Sequence, residues 1–166
     1  QPSIVQFLRS SAIFHQPGNS KPLRVPLAQM PESVVAGGQT PARVMFALID
    51  GNYAEAERVL AASPRQDFQD IDFSFYFPRA WFEGMIAREK GDSTGATAAF
   101  RRARAVLAQR LVVKPEHART IAVLAQVDAN LVEKELALQE AHQANALMHT
   151  SKNIYHGPVV LEGRAP

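Results

Sequence analysis

Apolar and polar positions along the 166-residue chain fall into two regimes that meet near residue 40. Ahead of that point proline sets the pattern. Six of the eleven prolines lie at or before Pro41, and HQPGNSKPLRVPLAQMPES reads as irregular, partly extended chain. SIVQFLRSSAIF before it is compatible with a short amphipathic helix or a strand. From Thr40 onward the apolar residues recur at helical spacing. Thr40-Pro41 is a helix start, a hydroxyl cap followed by proline where its missing N–H costs nothing, and this helix is predicted to reach about Asp50. Asn52 caps a second helix, with Glu55 three residues on in a capping-box arrangement. Ala56, Val59 and Leu60 are its inward positions, and it ends near Pro64. DFQDIDFSFYF predicts a loop that grades into a third helix over about 78–90. Gly91-Asp92-Ser93 breaks that helix, and Asp92 or Ser93 caps a long fourth one reaching about Val113. A fifth is predicted from Pro115 to about Leu131, with Glu116 favourable to the dipole in its first turn. The sixth spans roughly 134–148, with Leu136, Ala137, Leu138, Ala141, Ala144 and Leu147 as its apolar stripe.

These helices repeat. Gly51 and Gly91 stand 40 residues apart, as do Ala56 and Ala96, and Ala96 and Ala137 stand 41 apart. Leu60, Phe100 and Ala141 keep the same register. Self-similarity near 40 residues, with one helix pair per unit, is the signature of a helical solenoid. Glycine at the turn permits the left-handed backbone that ends the first helix of a pair. Val132 stands where the third glycine would fall, and a β-branched residue resists positive φ, so the third turn is expected to be reshaped.

The matching features are a small residue in the first helix (Gly84, Ala125), Gly-Asn or Gly-Asp at the turn (Gly51-Asn52, Gly91-Asp92), and alanine five residues after the glycine position (Ala56, Ala96, Ala137). Phe100 and Ala103 complete the second helix of the middle unit. Small residues where helices cross allow close approach, and a larger side chain there overpacks at about 1–3 kcal/mol. On these residues the chain resembles the tetratricopeptide repeat family over about residues 37–150. The resemblance implies an all-α, right-handed superhelical array of about three antiparallel helix pairs, whose first helices line a concave groove. Helix GATAAFRRARAVLAQRLVVKP runs about two turns longer than a 34-residue unit allows. In this the chain is similar to long-period arrays of bacterial multidomain proteins, which lie downstream of kinase, cyclase or DNA-binding modules; no such module is present in this sequence. The expected organisation is an irregular segment 1–36, a repeat domain 37–150 and a partial terminal repeat or tail 151–166. In that tail GPVVLEGRAP resembles the first helix of a further unit, and His149 stands where a proline often closes one. By the matched register the groove receives Met45, Trp81, Met85, Arg88, Arg119, Gln126 and Asn130. Trp, Met and Arg together are the chemistry of an interface anchor, although Trp81 also suits the core of a short array. The family's carboxylate clamp of Lys and Asn is not matched, so recognition of a peptide C-terminus by that clamp is not expected.

Composition narrows the function classes. Without cysteine there are no disulfides, thiolate nucleophiles or cysteine-based metal sites, which suits a reducing cytoplasm and is compatible with an envelope compartment. The chain starts at Gln1 rather than Met, as a fragment or processed form would. A formal charge of +2 does not by itself imply nucleic acid or an acidic membrane, and no apolar run approaches the roughly 18 residues of a membrane span. His142, His149 and His156 recur at intervals of seven, but a helix end and a loop separate them, so no metal site is expected. No phosphate-binding loop, nucleophile elbow or HExxH motif occurs. Glu83 and Glu89, six apart on one helix, point to different faces, and capping accounts for Ser93 and Thr94. Neither an enzyme nor a cofactor is expected. The arginines of FRRARAVLAQR read first as a solvated outer face and second as a basic stripe for an acidic peptide or nucleic acid. Seven of the thirteen aromatics crowd into residues 68–82 and supply part of the core. The function expected is a non-catalytic protein-protein interaction module that holds a peptide or helix in its groove. The alternative is a structural, self-associating module whose terminal unit is completed by a second copy. A third reading, nucleic-acid binding through the arginine helix, predicts a steep dependence on salt.

Overall fold

In the computed structural model, which describes residues 40–69 and 75–148, the chain reverses direction three times through one backbone motif. Helices α1 (Thr40–Ile49) and α2 (Tyr53–Ala62) form the first pair. Short strands β1 (Asp67–Gln69) and β2 (Tyr76–Pro78) follow. Next come α3 (Arg79–Glu89) with α4 (Ser93–Val113), and α5 (Ala118–Asn130) with α6 (Lys134–Met148). The described chain is thus mostly helical, with one two-stranded antiparallel ribbon. Each helix packs on the next in sequence, and α4 bridges the second and third pairs by contacting α5. The segment expected to be irregular, 1–36, and the expected tail, 151–166, lie outside the described residues, as do His149 and His156.

The three turns close identically. The N–H of Gly51, Gly91 and Val132 bonds to the carbonyl three residues back (Leu48, Arg88, Ala129) at 3.0, 3.0 and 3.2 Å. The next N–H, of Asn52, Asp92 and Glu133, reaches five residues back to Ala47, Ala87 and Asp128 at 2.8, 2.9 and 2.9 Å. This Schellman pair satisfies the last carbonyls of α1, α3 and α5 and requires a left-handed residue between them. Gly51 and Gly91 supply it with φ of 67° and 80°. Val132 adopts φ 67° as well, so the third turn is not reshaped; the valine accepts the strained conformation. Its side chain is 85% exposed, so nothing around it offsets the strain by burial.

The residue after each turn begins the next helix. Asn52 accepts from Glu55 N–H (3.2 Å) and Asp92 from Gly95 N–H (2.8 Å). The reciprocal half of the expected capping box is absent, because the Asn52 N–H is already bonded to Ala47; the Glu55 carboxylate turns to Arg58 instead. The fifth helix starts three residues later than Pro115 suggests. Lys114 to His117 form a turn, and His117 caps α5 by accepting from Thr120 N–H at 3.3 Å. Burial, then Arg110, Lys114 and Arg119, hold His117 below its ordinary pKa, which favours the neutral ring, and the Thr120 N–H takes Nδ1 as its acceptor.

DFQDIDFSFYF, expected to be a loop, instead contributes a ribbon with Phe68 opposite Phe77. Phe68 is the one buried residue of β1, and its ring meets Phe82 edge-on at 5.3 Å. Arg79 ties this linker down from the first turn of α3. Its guanidinium donates to the carbonyls of Leu60, Ser63 and Arg65 at 2.9, 2.7 and 3.1 Å, capping the open end of α2.

A continuous core runs from Val44, Leu60, Phe68 and Phe82 through Phe100 and Leu107 to Val123 and Val127. At the crossing of α3 and α4 a Cβ on Gly84 would lie 2.7 Å from the Phe100 ring. The corresponding positions of the first and third pairs hold Val44 with Leu60 and Ala125 with Ala141, so the pairs divide the crossing volume differently. On α6 only Ala137, Glu140 and Ala144 are buried, and Leu138 of the expected stripe is 53% exposed.

Two substitutions test this account. Val132→Gly is expected to stabilise the chain by about 0.5–1 kcal/mol, relief of the left-handed strain exceeding the backbone entropy of glycine. Gly84→Ala is expected to destabilise it by about 1–3 kcal/mol through overpacking against Phe100, with partial recovery when Phe100→Leu is added. Urea denaturation of the four chains measures both; a destabilising Val132→Gly would mean that the turn is not strained.

Candidate interaction surface

The first helices of the second and third pairs meet through polar side chains. Arg88, near the end of α3, donates through Nη1 to Asn130 Oδ1 at the end of α5. Asn130 Nδ2 in turn donates to the Gln126 carbonyl at 2.7 Å. The Nε and Nη2 of Arg88 engage Glu89 Oε1 at 3.1 and 2.7 Å. Arg88, Asn130 and Gln126 are therefore brought together, with Arg88 and Gln126 exposed and Asn130 half-buried. Glu89, which the register did not assign to the surface, lowers its positive charge.

The other expected groove residues lie deeper. Trp81 is 8% exposed and belongs to the core, its ring 4.9 Å from those of both Phe77 and Phe82. Its Nε1 is buried with no hydrogen-bond partner. Met45 and Met85 are half-buried against the same core. Arg119 is half-buried near the start of α5, its Nε also without a partner. Of the expected groove residues, Arg88, Gln126 and Asn130 thus lie together at a polar end, whereas Trp81, Met45 and Met85 are sunk into or against the core.

The arginine helix is largely committed to contacts within the chain. Arg102 pairs with Glu83 at 2.8 Å, Arg104 with Asp128 at 2.7 Å, and Arg110 lies 3.7 Å over the Tyr76 ring. Arg101 remains on the exposed face. Such contacts favour the solvated-face reading over a phosphate-binding stripe, which needs its cations free. Glu83 and Glu89, the carboxylates weighed for catalysis, serve Arg79 with Arg102 and Arg88 respectively. Among the described residues no group of three potential ligands for a metal ion occurs, and no helix is long and apolar enough to cross a membrane.

The periodic reading missed a buried polar cluster. Asp128 of α5 is fully buried and Glu140 of α6 is 8% exposed. Arg104 reaches Asp128 from α4 and joins the second pair to the third. Asp128 Oδ2 and Glu140 Oε2 are both buried without partners. The signal in the sequence was register: these sites correspond to Ala47 with Val59 and Ala87 with Ala99 in the earlier pairs. Two acids at positions otherwise small and apolar mark a site where packing alone does not decide the residue.

Compared with family models, curated proteins and solved structures, the chain matches none.

Removing the cation isolates a buried charge. Arg104→Ala is expected to cost about 3 kcal/mol, since the loss of one member leaves the other buried and uncompensated. Arg104→Ala with Asp128→Ala should cost less than Arg104→Ala alone, which a double-mutant cycle in urea at pH 8 would measure. Additive costs would deny the pair an interaction.

Proposed function

We propose that the three helix pairs form a tetratricopeptide-like, right-handed array whose concave side binds a peptide or helix of another protein, without catalysis. The observation that carries this reading is the Arg88–Asn130 contact between α3 and α5. It links the first helices of successive units at equivalent ends, the arrangement a shared groove requires. The three equivalent turns support it, since a constant turn gives each pair the same internal geometry. The mechanism is preorganisation: stacked hairpins hold Arg88, Gln126 and Asn130 in place, so little ordering entropy opposes association. Met45 and Met85 would supply adaptable apolar contact beside them, and Arg119 a further cation. Trp81 acts in this reading as the floor beneath the groove rather than as an anchor reaching into it.

The experiment is selection from a phage-displayed peptide library, followed by affinity measurement on the selected peptides. Arg88→Ala with Gln126→Ala, both at exposed positions, is expected to weaken binding about tenfold while the helical circular dichroism is unchanged. Arg101→Ala, on the exposed face of α4, should leave affinity as it was. Peptides that respond to Arg101 and not to Arg88 would remove the groove reading, as would a library that yields none.

A further inference from the structure

Asp128 and Glu140 raise a question that the groove does not answer. A helical repeat has no need of two carboxylates between the helices of one pair, and the first two units fill the equivalent positions with Ala47 and Val59 and with Ala87 and Ala99. In the third unit Asp128 is fully buried, Glu140 is 8% exposed, and each keeps one buried oxygen with no donor. Two ionised carboxylates in one such site repel, and each loses hydration. A single proton resolves both problems. Carried by Glu140, it turns that carboxyl into a donor toward Asp128, while Arg104 continues to balance the remaining charge at 2.7 Å.

We propose that the Asp128–Glu140 pair is a proton-operated latch between α5 and α6: a shared proton holds the last described helix on the array, and loss of that proton loosens it. The charged groups that act on Glu140 come from α5 and α4, and one more lies in the turn before α6. Asp128 comes from α5 and Arg104 from α4, and Glu133, just ahead of α6, acts on Arg104. Burial first, then the Asp128 charge and the hydrogen bond to Asp128, raise Glu140 from 4.5 to about 7, against the opposing pull of Arg104. The folded chain therefore holds this proton more tightly than the unfolded chain. Its contribution is complete below the unfolded value of 4.5 and is lost as pH rises through about 7. The window runs from 4.5 to about 7, so the hold on α6 weakens as pH rises through it. The turn that leads into α6 is poorly built to resist release, since Val132 is strained and Glu133 follows where Asn52 and Asp92 cap the other second helices. Loosening α6 uncovers the surface of α5 on which it packs. The proposal does not depend on what the groove binds.

Amide hydrogen exchange of the full chain, corrected for intrinsic rates, reads the latch helix by helix at pH 5.5, 7 and 8.5. In the wild type, α6 is expected to lose protection about tenfold or more from pH 5.5 to 8.5, while α1 and α2 stay within a factor of about two. Glu140→Gln keeps a donor toward Asp128 and should hold α6 protected at every pH. Glu140→Val carries the first unit's residue and should also abolish the pH dependence. Constant α6 protection in the wild type would overturn the proposal. So would an equal loss in all helices, which signals a global effect, or a wild-type response that persists in Glu140→Gln or Glu140→Val. Should a variant fail to fold, the wild-type profile across α1, α2 and α6 still decides the matter.

Discussion

The described fold depends on one constraint, a left-handed residue that lets each first helix end and the next helix begin without an unpaired carbonyl. Two hydrogen bonds fix that residue's place, one from its own N–H and one from its successor's. The successor then serves two helices at once, closing the first with its N–H and starting the second with its carbonyl. Asn52 and Asp92 add a side-chain cap to this. The spacing from one turn to the next is what keeps Ala56, Ala96 and Ala137 buried at equivalent positions. Because this geometry is local, it survives Val132. Six-residue hydrogen-bonded closure at a helix end outweighs the one or two kcal/mol that a side chain costs in the left-handed region.

A constant interval between turns does not require constant contents. After the first turn, α2 has 10 residues, and the chain then passes through the β1–β2 ribbon to reach α3. After the second, α4 runs for 21 residues, and only the turn from Lys114 to His117 separates it from α5. The added length of α4 meets the ribbon, where Arg110 lies over Tyr76. The long helix and the long linker thus support one another. The stacked ring and guanidinium, with Phe68 and Phe77 of the linker packed against Phe82 of α3 below, give the linker aromatics their place in the core.

Much of this was legible in the sequence for specific reasons. Capping residues and breaks fixed five helix starts closely, because Asn52, Asp92 and a turn glycine act within a few residues of the backbone they organise. Proline misled at the fifth helix: Pro115 suits a first turn, but His117 offers an acceptor to Thr120 and so sets the start. The ribbon escaped a reading tuned to helical spacing, although the period-two alternation of IDFSF between Phe68 and Phe77 is a strand signal. The placement of the expected groove residues was legible in part. Matched register placed Arg88 and Asn130 on a common face, and they meet; it placed Trp81 there too, but register does not report depth, and the indole is covered by Phe77 and Phe82. Asp128 and Glu140 were passed over because a search for apolar periodicity treats a charged residue as an exposed one.

The third unit departs from its neighbours in a consistent direction. Valine replaces the turn glycine, glutamate replaces the capping residue, and two acids replace small apolar residues between the helices. Each change weakens the pair internally, through strain, a lost cap and buried charge. Meanwhile the contacts that reach it from the second unit are strong and specific: Arg104 to Asp128 and Arg88 to Asn130. The stability of packed helix pairs combines terms internal to each pair with terms between neighbouring pairs. Moving weight from the first kind to the second makes the third pair conditional on the unit before it. A perturbation at either arginine, or at the proton between the acids, then acts on α5 and α6 without first passing through α1 and α2. This places responsiveness in the third pair and leaves the aromatic core of the ribbon and the second pair to hold the fold.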